Sequence, residues 1–251
     1  MSSPRSILTN TNSLHSMINY FKHFLEVESL EITISPEILS LVPGFKIGVI
    51  TYKDIDVGSS PQMLKGRLQL FQESLFFDLE EKQLSDLKGI SEWRSIFKKT
   101  GKDPNRYRHS AEALYRRVKK QSYIQSINSA TDLNNFLSLK YEIPLGIYDT
   151  SQLSEDIMIR LGAEDEVYEG LNGRSNSLYQ LIISADKKGG FGSPYVDSVR
   201  SAVTESTRNA LHLIYLRPSI TMDEGQLLTQ SIMNMFIQIH GGVGEFRVIG
   251  E

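Results

Sequence analysis

The stretch EWRSIFKKTGKDPNRYRHSAEALYRRVKK, residues 92–120, decides how the rest of the chain is interpreted. It contains the only Trp of the chain, and ten of its residues are Lys or Arg against three Asp or Glu, a formal charge of 10 − 3 = +7. The whole chain has 27 basic and 30 acidic residues, so the residues outside the stretch carry 17 − 27 = −10. Positive charge is therefore gathered in one segment of a mildly acidic protein.

Within this stretch the pattern predicts two helices. Trp93, Ile96 and Phe97 indicate a short amphipathic helix that Thr100 and Gly101 break, because glycine is a poor helix former. A second helix is expected to follow, with Asp103 as its N-cap and Pro104 at its first position. At 100° per residue its apolar side chains share one arc, and five others face the opposite way: Arg106, His109, Arg116, Arg117 and Lys120.

The cationic arc has two interpretations that the sequence leaves open. A run of like charge is often a solvated helix face, but such faces usually mix signs to gain i,i+4 pairs, and here Glu112 supplies the only acid. Phosphate is the natural partner for the second interpretation, because Lys and Arg that neutralise phosphates release counterions. The candidate RNA-binding residues are Arg94, Lys98, Lys99, Arg106, Arg108, Arg116, Arg117 and Lys120.

Outward from this stretch, helical patterns dominate the first half of the chain and strand patterns the second. Helices are predicted over residues 13–26, from Ser35-Pro36, over 62–84 and 127–142, and after the capping box of Thr221 and Glu224, ending at Gly241-Gly242. Strands are predicted over 30–34, 45–52, 145–148, 156–161, 178–185, 199–203 and 210–216, with a turn at 170–177 and a flexible loop at 187–192.

These patterns predict an α+β fold: a single domain with mixed or antiparallel sheets and flanking helices. The boundaries we expect are a helical extension at 1–29, the domain at 30–240 and a C-terminal tail at 241–251.

Composition and spacing exclude several classes of function. The absence of Cys rules out disulfides and thiolate chemistry, and it fits a reducing, cytoplasmic location. The first dozen residues lack the apolar core of a signal peptide, and no apolar run is long enough to span a membrane. The five His residues show no metal-ligand spacing, so we expect no metal site, and no cofactor motif is recognisable.

Two polar groups are candidates for a binding or catalytic site. Asp132, Asn134 and Asn135 interrupt an otherwise apolar helix, although Asn and Asp are unfavourable in helix interiors. They fit an N-terminal helix turn, a surface stripe or an inward-facing site where amides orient a ligand. Residues 204–208 (TESTR) form a second polar group between apolar strands, and a plain hairpin turn is the competing interpretation.

Several of these segments together resemble the B3/B4 module of the phenylalanyl-tRNA synthetase β subunit, in its free-standing form. The stretch WRSIFKKTGKDPNRYRHSAEALYRRV resembles its signature, and Val203-Thr204-Glu205 with Thr207-Arg208 resembles its V-T-E-x-T-R turn. A third similarity, to its D-x-x-N…P-L…(F/Y)-D stretch, lies at Asp132, Asn135, Pro144-Leu145 and Tyr148-Asp149. The similarity runs in order over roughly residues 30–240.

The resemblance implies an α+β module that holds the aminoacylated 3′ end of tRNA and hydrolyses a wrongly attached amino-acid ester. By resemblance, the substrate-binding residues would be Asp132, Asn134, Asn135, Gly146, Tyr148, Arg208 and Leu213. The catalytic candidates would be Asn135, Asp132, Thr204, Glu205 and Thr207, with no dedicated base evident.

Two positions depart from the family pattern. The synthetase module has a pocket His where this chain has Gly146, and a Glu that recognises the tyrosine hydroxyl where it has Leu213. Losing both polar groups argues against tyrosine as the rejected amino acid, because a pocket selects a hydroxyl by hydrogen-bonding it.

Three hypotheses follow. The first is an aminoacyl-tRNA deacylase acting in trans, with tRNA as its partner. The second is a tRNA-binding module without chemistry, and the third is a protein that binds a free amino acid or another small metabolite.

Overall fold

A computed structural model describes residues 30–154 and 156–250, and its fold is α+β as the sequence predicts. The helices are α1 (Pro36–Leu41), α2 (Gln62–Asp78), α3 (Lys88–Lys99), α4 (Ser110–Lys119), α5 (Ser129–Tyr141) and α6 (Met222–His240). The strands are β1 (Ile32–Ile34), β2 (Lys46–Lys53), β3 (Leu145–Asp149), β4 (Ile157–Leu161), β5 (Val167–Glu169), β6 (Ser175–Ser177), β7 (Ile182–Asp186), β8 (Gly189–Gly192), β9 (Ala210–Leu216) and β10 (Val243–Gly250).

The central sheet is antiparallel, in the order β10-β2-β9-β3. Strand β9 is buried along its whole length, and β2 is buried over Lys46–Ile50 and at Tyr52. Both strands read as continuous apolar runs rather than as alternating ones, because both faces of the sheet are covered. The central sheet is therefore the element on which the rest of the fold is assembled.

A second sheet of four strands has the order β1-β4-β7-β8, with β1 parallel to β4 and the other pairs antiparallel. Strands β5 and β6 pair separately as a short hairpin. The sheets are thus mixed in one case and antiparallel in the other, as predicted.

The two faces of the central sheet have different neighbours. Side chains alternate along a strand, so Ile50, Ile147 and Ile214 share one face, where they join one apolar cluster with Leu133 of α5 and Phe236 of α6. The opposite face carries Leu213, Tyr215 and Tyr148, and it meets Trp93 of α3 and strands β7 and β8. We call them the helix face and the second-sheet face.

Close approach of α6 to the helix face depends on one small residue. A Cβ at Gly48 of β2 would lie 2.4 Å from Thr229 Oγ1 of α6. Thr229 is itself fully buried, and its hydroxyl donates to Gly225 O at 2.7 Å. Any larger side chain at position 48 would push the helix off the sheet.

Most predicted elements are confirmed within one to four residues. Ser35 caps α1 and Thr221 with Glu224 forms the capping box of α6. Strands β2, β3, β4 and β9 lie at the predicted positions, and α5 ends at Tyr141 with Glu142 as its C-cap, in left-handed φ and ψ. The predicted helix 13–26, and the extension 1–29 that contains it, lie outside the described residues.

One helix begins later than predicted. The Asp103 carbonyl accepts from Arg106 N and Tyr107 N, at 3.0 and 2.9 Å, so residues 103–107 close into a single turn. Helix α4 then begins at Ser110, with His109 as N-cap through its Nδ1. Asp103 and Pro104 are therefore not its cap and first residue. Ser110 N donates to Pro194 O at 2.7 Å, so the first residue of α4 is bound to a loop that is distant in sequence.

The helix predicted over 62–84 ends six residues early, at Asp78, and three further predictions are wrong. The loop predicted at 187–192 contains β8, whose glycines are needed because neighbouring side chains lie within 2.6 Å of any Cβ at Gly190 or Gly192. The strand predicted at 199–203 is a 3₁₀ turn over Val199–Ser201, capped by Ser198. The segment 241–251, predicted as a tail, contains β10, which pairs with all of β2.

Candidate functional site

Asp132, a predicted catalytic and substrate-binding residue, is fully buried at the start of α5. Its Oδ2 accepts from the hydroxyls of Ser60 and Ser126, and its Oδ1 accepts from Ile127 N at 2.9 Å. A carboxylate that accepts this many hydrogen bonds is held by its surroundings. Asp132 therefore joins the 126–127 segment and residue 60 to α5, with its known partners all inside the protein.

Asn134, on the same helix, belongs to a polar chain on the helix face of the sheet. Its Nδ2 donates to Leu145 O at 3.2 Å, so its Oδ1 is left as an acceptor for His212 Nε2, at 2.9 Å. The other ring nitrogen, Nδ1, then accepts from the Tyr52 hydroxyl at 3.4 Å. Burial, with the charge of His240 as a smaller cause, lowers the pKa of His212 to about 3, so the imidazole is neutral.

Asn135, which follows, is half-buried, and its side chain makes no hydrogen bond to any described residue. Its amide is thus available to a ligand, whereas that of Asn134 is fully engaged. The two neighbouring amides that the sequence treats together differ in this respect.

Gly146 and Leu213 lie directly opposite each other in the β3–β9 register, on the second-sheet face. The space beside Gly146 is filled by Tyr148, because a Cβ at Gly146 would lie 1.9 Å from the Tyr148 hydroxyl oxygen. A Cβ at Gly192 of β8 would lie 2.2 Å from the same oxygen. The Tyr148 ring therefore occupies a slot between two glycines, where larger residues would displace it.

The Tyr148 hydroxyl is the centre of a buried polar network between the two sheets. It donates to Asp197 Oδ1 at 2.9 Å and lies 3.3 Å from the Tyr215 hydroxyl, which is 2.8 Å from Ser184 Oγ. Ser193 N also donates to Asp197 Oδ1, at 3.1 Å. Burial raises the pKa of Asp197 to about 7, against the lowering effect of these two hydrogen bonds.

The turn at 204–208 is ordered by its own side chains and by strand β3. Thr207 is buried, and its hydroxyl donates to Asp149 Oδ2 at 2.6 Å while accepting from Thr204 N at 3.0 Å. Glu205 is exposed, and Arg208 donates to Glu205 O at 2.8 Å and lies 3.8 Å from Asp56 Oδ1. The turn therefore packs at the Asp149 end of β3, while Asn134 contacts the Leu145 end.

Three of the predicted RNA-binding arginines share one buried carboxylate oxygen. Glu112 Oε1 lies 3.1 Å from Arg94 Nη1, 2.8 Å from Arg116 Nη2 and 3.9 Å from Arg108 Nε, and the Glu112 side chain is only 1% exposed. Arg116 is therefore not part of a uniformly unpaired face. Arg117 donates to Ser122 O and Tyr123 O at 3.3 Å, which satisfies carbonyls just after α4.

Four predicted RNA-binding residues are exposed and make no ion pair with the described part of the chain. They are Lys98, Lys99, Arg106 and Lys120. The first two end α3, Arg106 lies in the turn before α4, and Lys120 follows α4. The positive charge is thus divided between a fixed cluster around Glu112 and a freely solvated set.

The sequence did not single out Asp197, Tyr215, Ser184 or His212. Ser184, His212 and Tyr215 lie in apolar strands, and Asp197 lies in the loop after β8. A usable signal is present for two of them: His212 and Tyr215 interrupt the β9 run ALHLIYL, which is too apolar to have a solvated face. The remaining two are brought to Tyr148 only by the packing of the two sheets.

Within residues 30–154 and 156–250, no three His, Cys, Asp or Glu side chains come together in a way that could hold a metal ion. None of the helices in these ranges has the length and apolar character needed to cross a membrane.

The fold and this interior define the class of the protein, a single α+β domain with a polar network between its sheets. The B3/4 domain family model matches residues 92–228, and the chain belongs to this family. It is also 35% identical over 214 residues to the protein YhzB of Bacillus subtilis (strain 168), covering 85% of this chain and 96% of that protein.

A second group of relatives consists of synthetase subunits. Over 103 residues the chain is 31% identical to the phenylalanine–tRNA ligase beta subunit of Neisseria meningitidis serogroup A, matching 40% of this chain but only 13% of the subunit. It is also similar to a solved N-terminal fragment of the phenylalanyl-tRNA synthetase beta subunit from Pyrococcus horikoshii, with a TM-score of 0.42 and 10% identity, covering 88% of this chain and 54% of that one.

Proposed function

We propose that the protein binds the aminoacylated 3′ end of a tRNA and hydrolyses the ester of a wrongly attached amino acid, acting in trans. Membership of the B3/4 family and the relation to phenylalanine–tRNA ligase beta subunits support tRNA as the partner. One observation carries the chemistry: the Asp197 carboxyl, whose pKa burial raises to about 7, accepts from the Tyr148 hydroxyl beside the sheet face that carries Gly146 and Leu213.

In this proposal Asp197 acts as the general base. A water attacks the ester carbonyl carbon, and the Asp197 carboxylate takes the proton that the water loses. The bond from that carbon to the ribose oxygen then breaks, and the ribose oxygen takes the proton from Asp197, which restores the carboxylate. A base titrating near neutral pH is suited to this step, because it is both largely ionised and still basic at the working pH.

Tyr148 has a positioning role. Its hydroxyl donates to Asp197 Oδ1, and its ring fills the slot between Gly146 and Gly192. Because that slot lies beside the positions of the synthetase module's pocket His and Glu, Tyr148 reduces the room for an amino-acid side chain there. The proposal therefore favours an ester of a small amino acid over one of tyrosine.

The test is a deacylation assay over a panel of mischarged tRNAs, with small, branched and aromatic amino acids. The wild-type protein is expected to hydrolyse at least one ester above the spontaneous rate, with a rate that rises with pH around pH 7. Asp197→Asn should reduce this rate on the order of 100-fold, the effect of losing a general base. The matched control is Lys65→Gln, an exposed position on α2.

Three results would overturn the proposal, or the role it gives to Asp197, in different ways. If no ester in the panel is hydrolysed while tRNA still binds, the protein is a tRNA-binding module without chemistry. If tRNA does not bind and free amino acids do, a small-molecule binding function replaces it. If Asn135→Ala abolishes hydrolysis and Asp197→Asn does not, the reaction lies at α5 instead.

A further inference from the structure

Helices α3 and α4 enclose, with residues 83–85, a cavity of about 330 Å³. Its polar lining consists of Gln83, Ser85, Arg94, Glu112, Arg116 and Lys119. It lies in the segment with the highest positive charge of the chain, and none of its lining residues takes part in the network around Tyr148.

The charges in this lining do not balance. Arg94, Arg116 and Lys119 are cationic, and Glu112 is the single carboxylate, so the lining carries 3 − 1 = +2. Arg108 approaches the same carboxylate to 3.9 Å and adds a further positive charge nearby. Cations crowded in this way repel one another at a partly desolvated site, and an anion in the cavity would relieve that repulsion.

The donors are also held in place before any ligand arrives. Arg94 Nη1 donates to Glu112 Oε1 and to Pro104 O, at 3.1 and 3.0 Å, and its Nη2 donates to Asn105 Oδ1 at 2.7 Å. Arg116 is fixed by Glu112 through Nε, at 2.9 Å, and through Nη2. Side chains that are already ordered lose little entropy when they bind a ligand.

A second feature of the cavity is an unused acceptor. Glu112 Oε2 is buried and makes no hydrogen bond, although Oε1 of the same carboxylate contacts three guanidinium groups. A buried carboxylate oxygen without a donor is costly. The Glu112 carboxylate is therefore satisfied through Oε1 alone, by guanidinium groups of which two belong to the cavity lining.

We propose that this cavity binds a phosphate group, either free or as part of an RNA backbone, with the guanidinium groups of Arg94 and Arg116 and the ammonium of Lys119 as its donors. Planar guanidinium forks match the oxygen geometry of phosphate. The RNA source rests on the proposed function, whereas the binding of free phosphate does not.

The first measurement is the binding of inorganic phosphate by calorimetry, with chloride at matched ionic strength as the reference. Arg116→Gln retains a hydrogen-bonding group for Glu112 but removes the charge, and it should weaken phosphate binding at least tenfold. Lys119→Gln should have a similar effect, and it is a second variant in case Arg116→Gln folds poorly. Lys65→Gln on α2 serves as the control and should bind phosphate as the wild type does.

The second measurement is the affinity for uncharged tRNA at several salt concentrations. If an RNA phosphate occupies the cavity, Arg116→Gln should weaken binding and reduce the slope of log K against log salt by about 1. If inorganic phosphate binds but Arg116→Gln leaves the affinity for tRNA unchanged, the ligand is free phosphate. If inorganic phosphate does not bind but Arg116→Gln weakens tRNA binding, the ligand is the RNA backbone. If neither phosphate nor tRNA binding responds to Arg116→Gln and Lys119→Gln, the inference is overturned. Loss of deacylation in Asp197→Asn with phosphate binding intact would concern only the proposed function.

Discussion

The buried polar groups on the two faces of the central sheet differ in their hydrogen bonding and in their charge state near neutral pH. On the helix face, Asn134, neutral His212 and Tyr52 form a chain in which each donor has an acceptor, and Asp132 accepts three hydrogen bonds. On the second-sheet face, the Asp197 carboxyl accepts two hydrogen bonds and has its pKa raised to about 7 by burial. The first arrangement stabilises the fold, whereas the second retains a group that can change charge near neutral pH.

The largest expected effect is on the helix face. Asp132→Ala would leave the hydroxyls of Ser60 and Ser126 and the amide of Ile127 without their acceptor, so we expect unfolding free energy to fall by about 3–5 kcal/mol. Urea denaturation at pH 7 measures this. Asn135→Ala, three positions along α5, has no described hydrogen bond to lose and should cost less than about 1 kcal/mol. Equal losses for the two variants would contradict the difference drawn between them.

The next effect concerns the slot on the second-sheet face. Gly146→Ala would place a Cβ 1.9 Å from the Tyr148 hydroxyl oxygen, so the ring must move, at a cost of about 1–3 kcal/mol. In a Tyr148→Ala background the same substitution should cost almost nothing, which a double-mutant cycle would detect. Gly66→Ala is the control, because nothing lies within 4 Å of a Cβ there and alanine favours helix α2 by up to about 1 kcal/mol. A Gly146→Ala cost that persists without the Tyr148 ring would show that the slot is not what constrains this position.

The sequence predicts the helix face better than the second-sheet face, for a physical reason. The strands and the capped helices α1 and α6 follow local patterns, and the helix predicted over 127–142 is confirmed as α5. The neutral state of His212 is not predictable, because it depends on Asn134 and Tyr52, which are 78 and 160 residues away along the chain.

The second-sheet face depends on glycines whose role is visible only in three dimensions. Gly190 and Gly192 suggest a flexible loop in sequence, yet they form β8 because Leu178 and Tyr148 approach their backbone. The resemblance to the synthetase module identified position 146 as a departure, but it could not show that Tyr148 fills the space. For the same reason Asp197 could not be identified, since its loop reaches Tyr148 only when the two sheets pack.

The cationic stretch shows a similar limit. Helical spacing places Arg116 on a charged arc, but spacing does not show that Glu112 is buried beneath it and that Arg94 comes from another helix to the same oxygen. Local charge counts therefore overstate the number of free cations in this stretch.

A smaller effect is expected from the titration of Asp197, which makes the unfolding free energy depend on pH. Its folded pKa of about 7 is above the unfolded value, so the folded state binds more protons and stability falls as pH rises through this range. Between pH 5 and 7 this contributes at most about 3 kcal/mol. Asp197→Asn removes the titration, and its stability should fall less than that of the wild type over the same interval. Parallel curves for the two proteins, from denaturation at several pH values, would contradict a raised pKa at this residue.

The smallest effect is expected from the titration of His212, which changes the unfolding free energy with pH in the opposite direction. The folded pKa of about 3 is below that of a free imidazole, so the folded state binds fewer protons and stability rises with pH until about 6.5. Between pH 5 and 6.5 the gain is at most about 2 kcal/mol. His212→Gln retains one donor and one acceptor for Asn134 and Tyr52 but does not titrate, so the gain should shrink, leaving the part due to His240, whose pKa burial also lowers. An unchanged pH profile in this variant would mean that folding does not lower the pKa of His212, and then the helix face, too, would hold a group that changes charge near neutral pH.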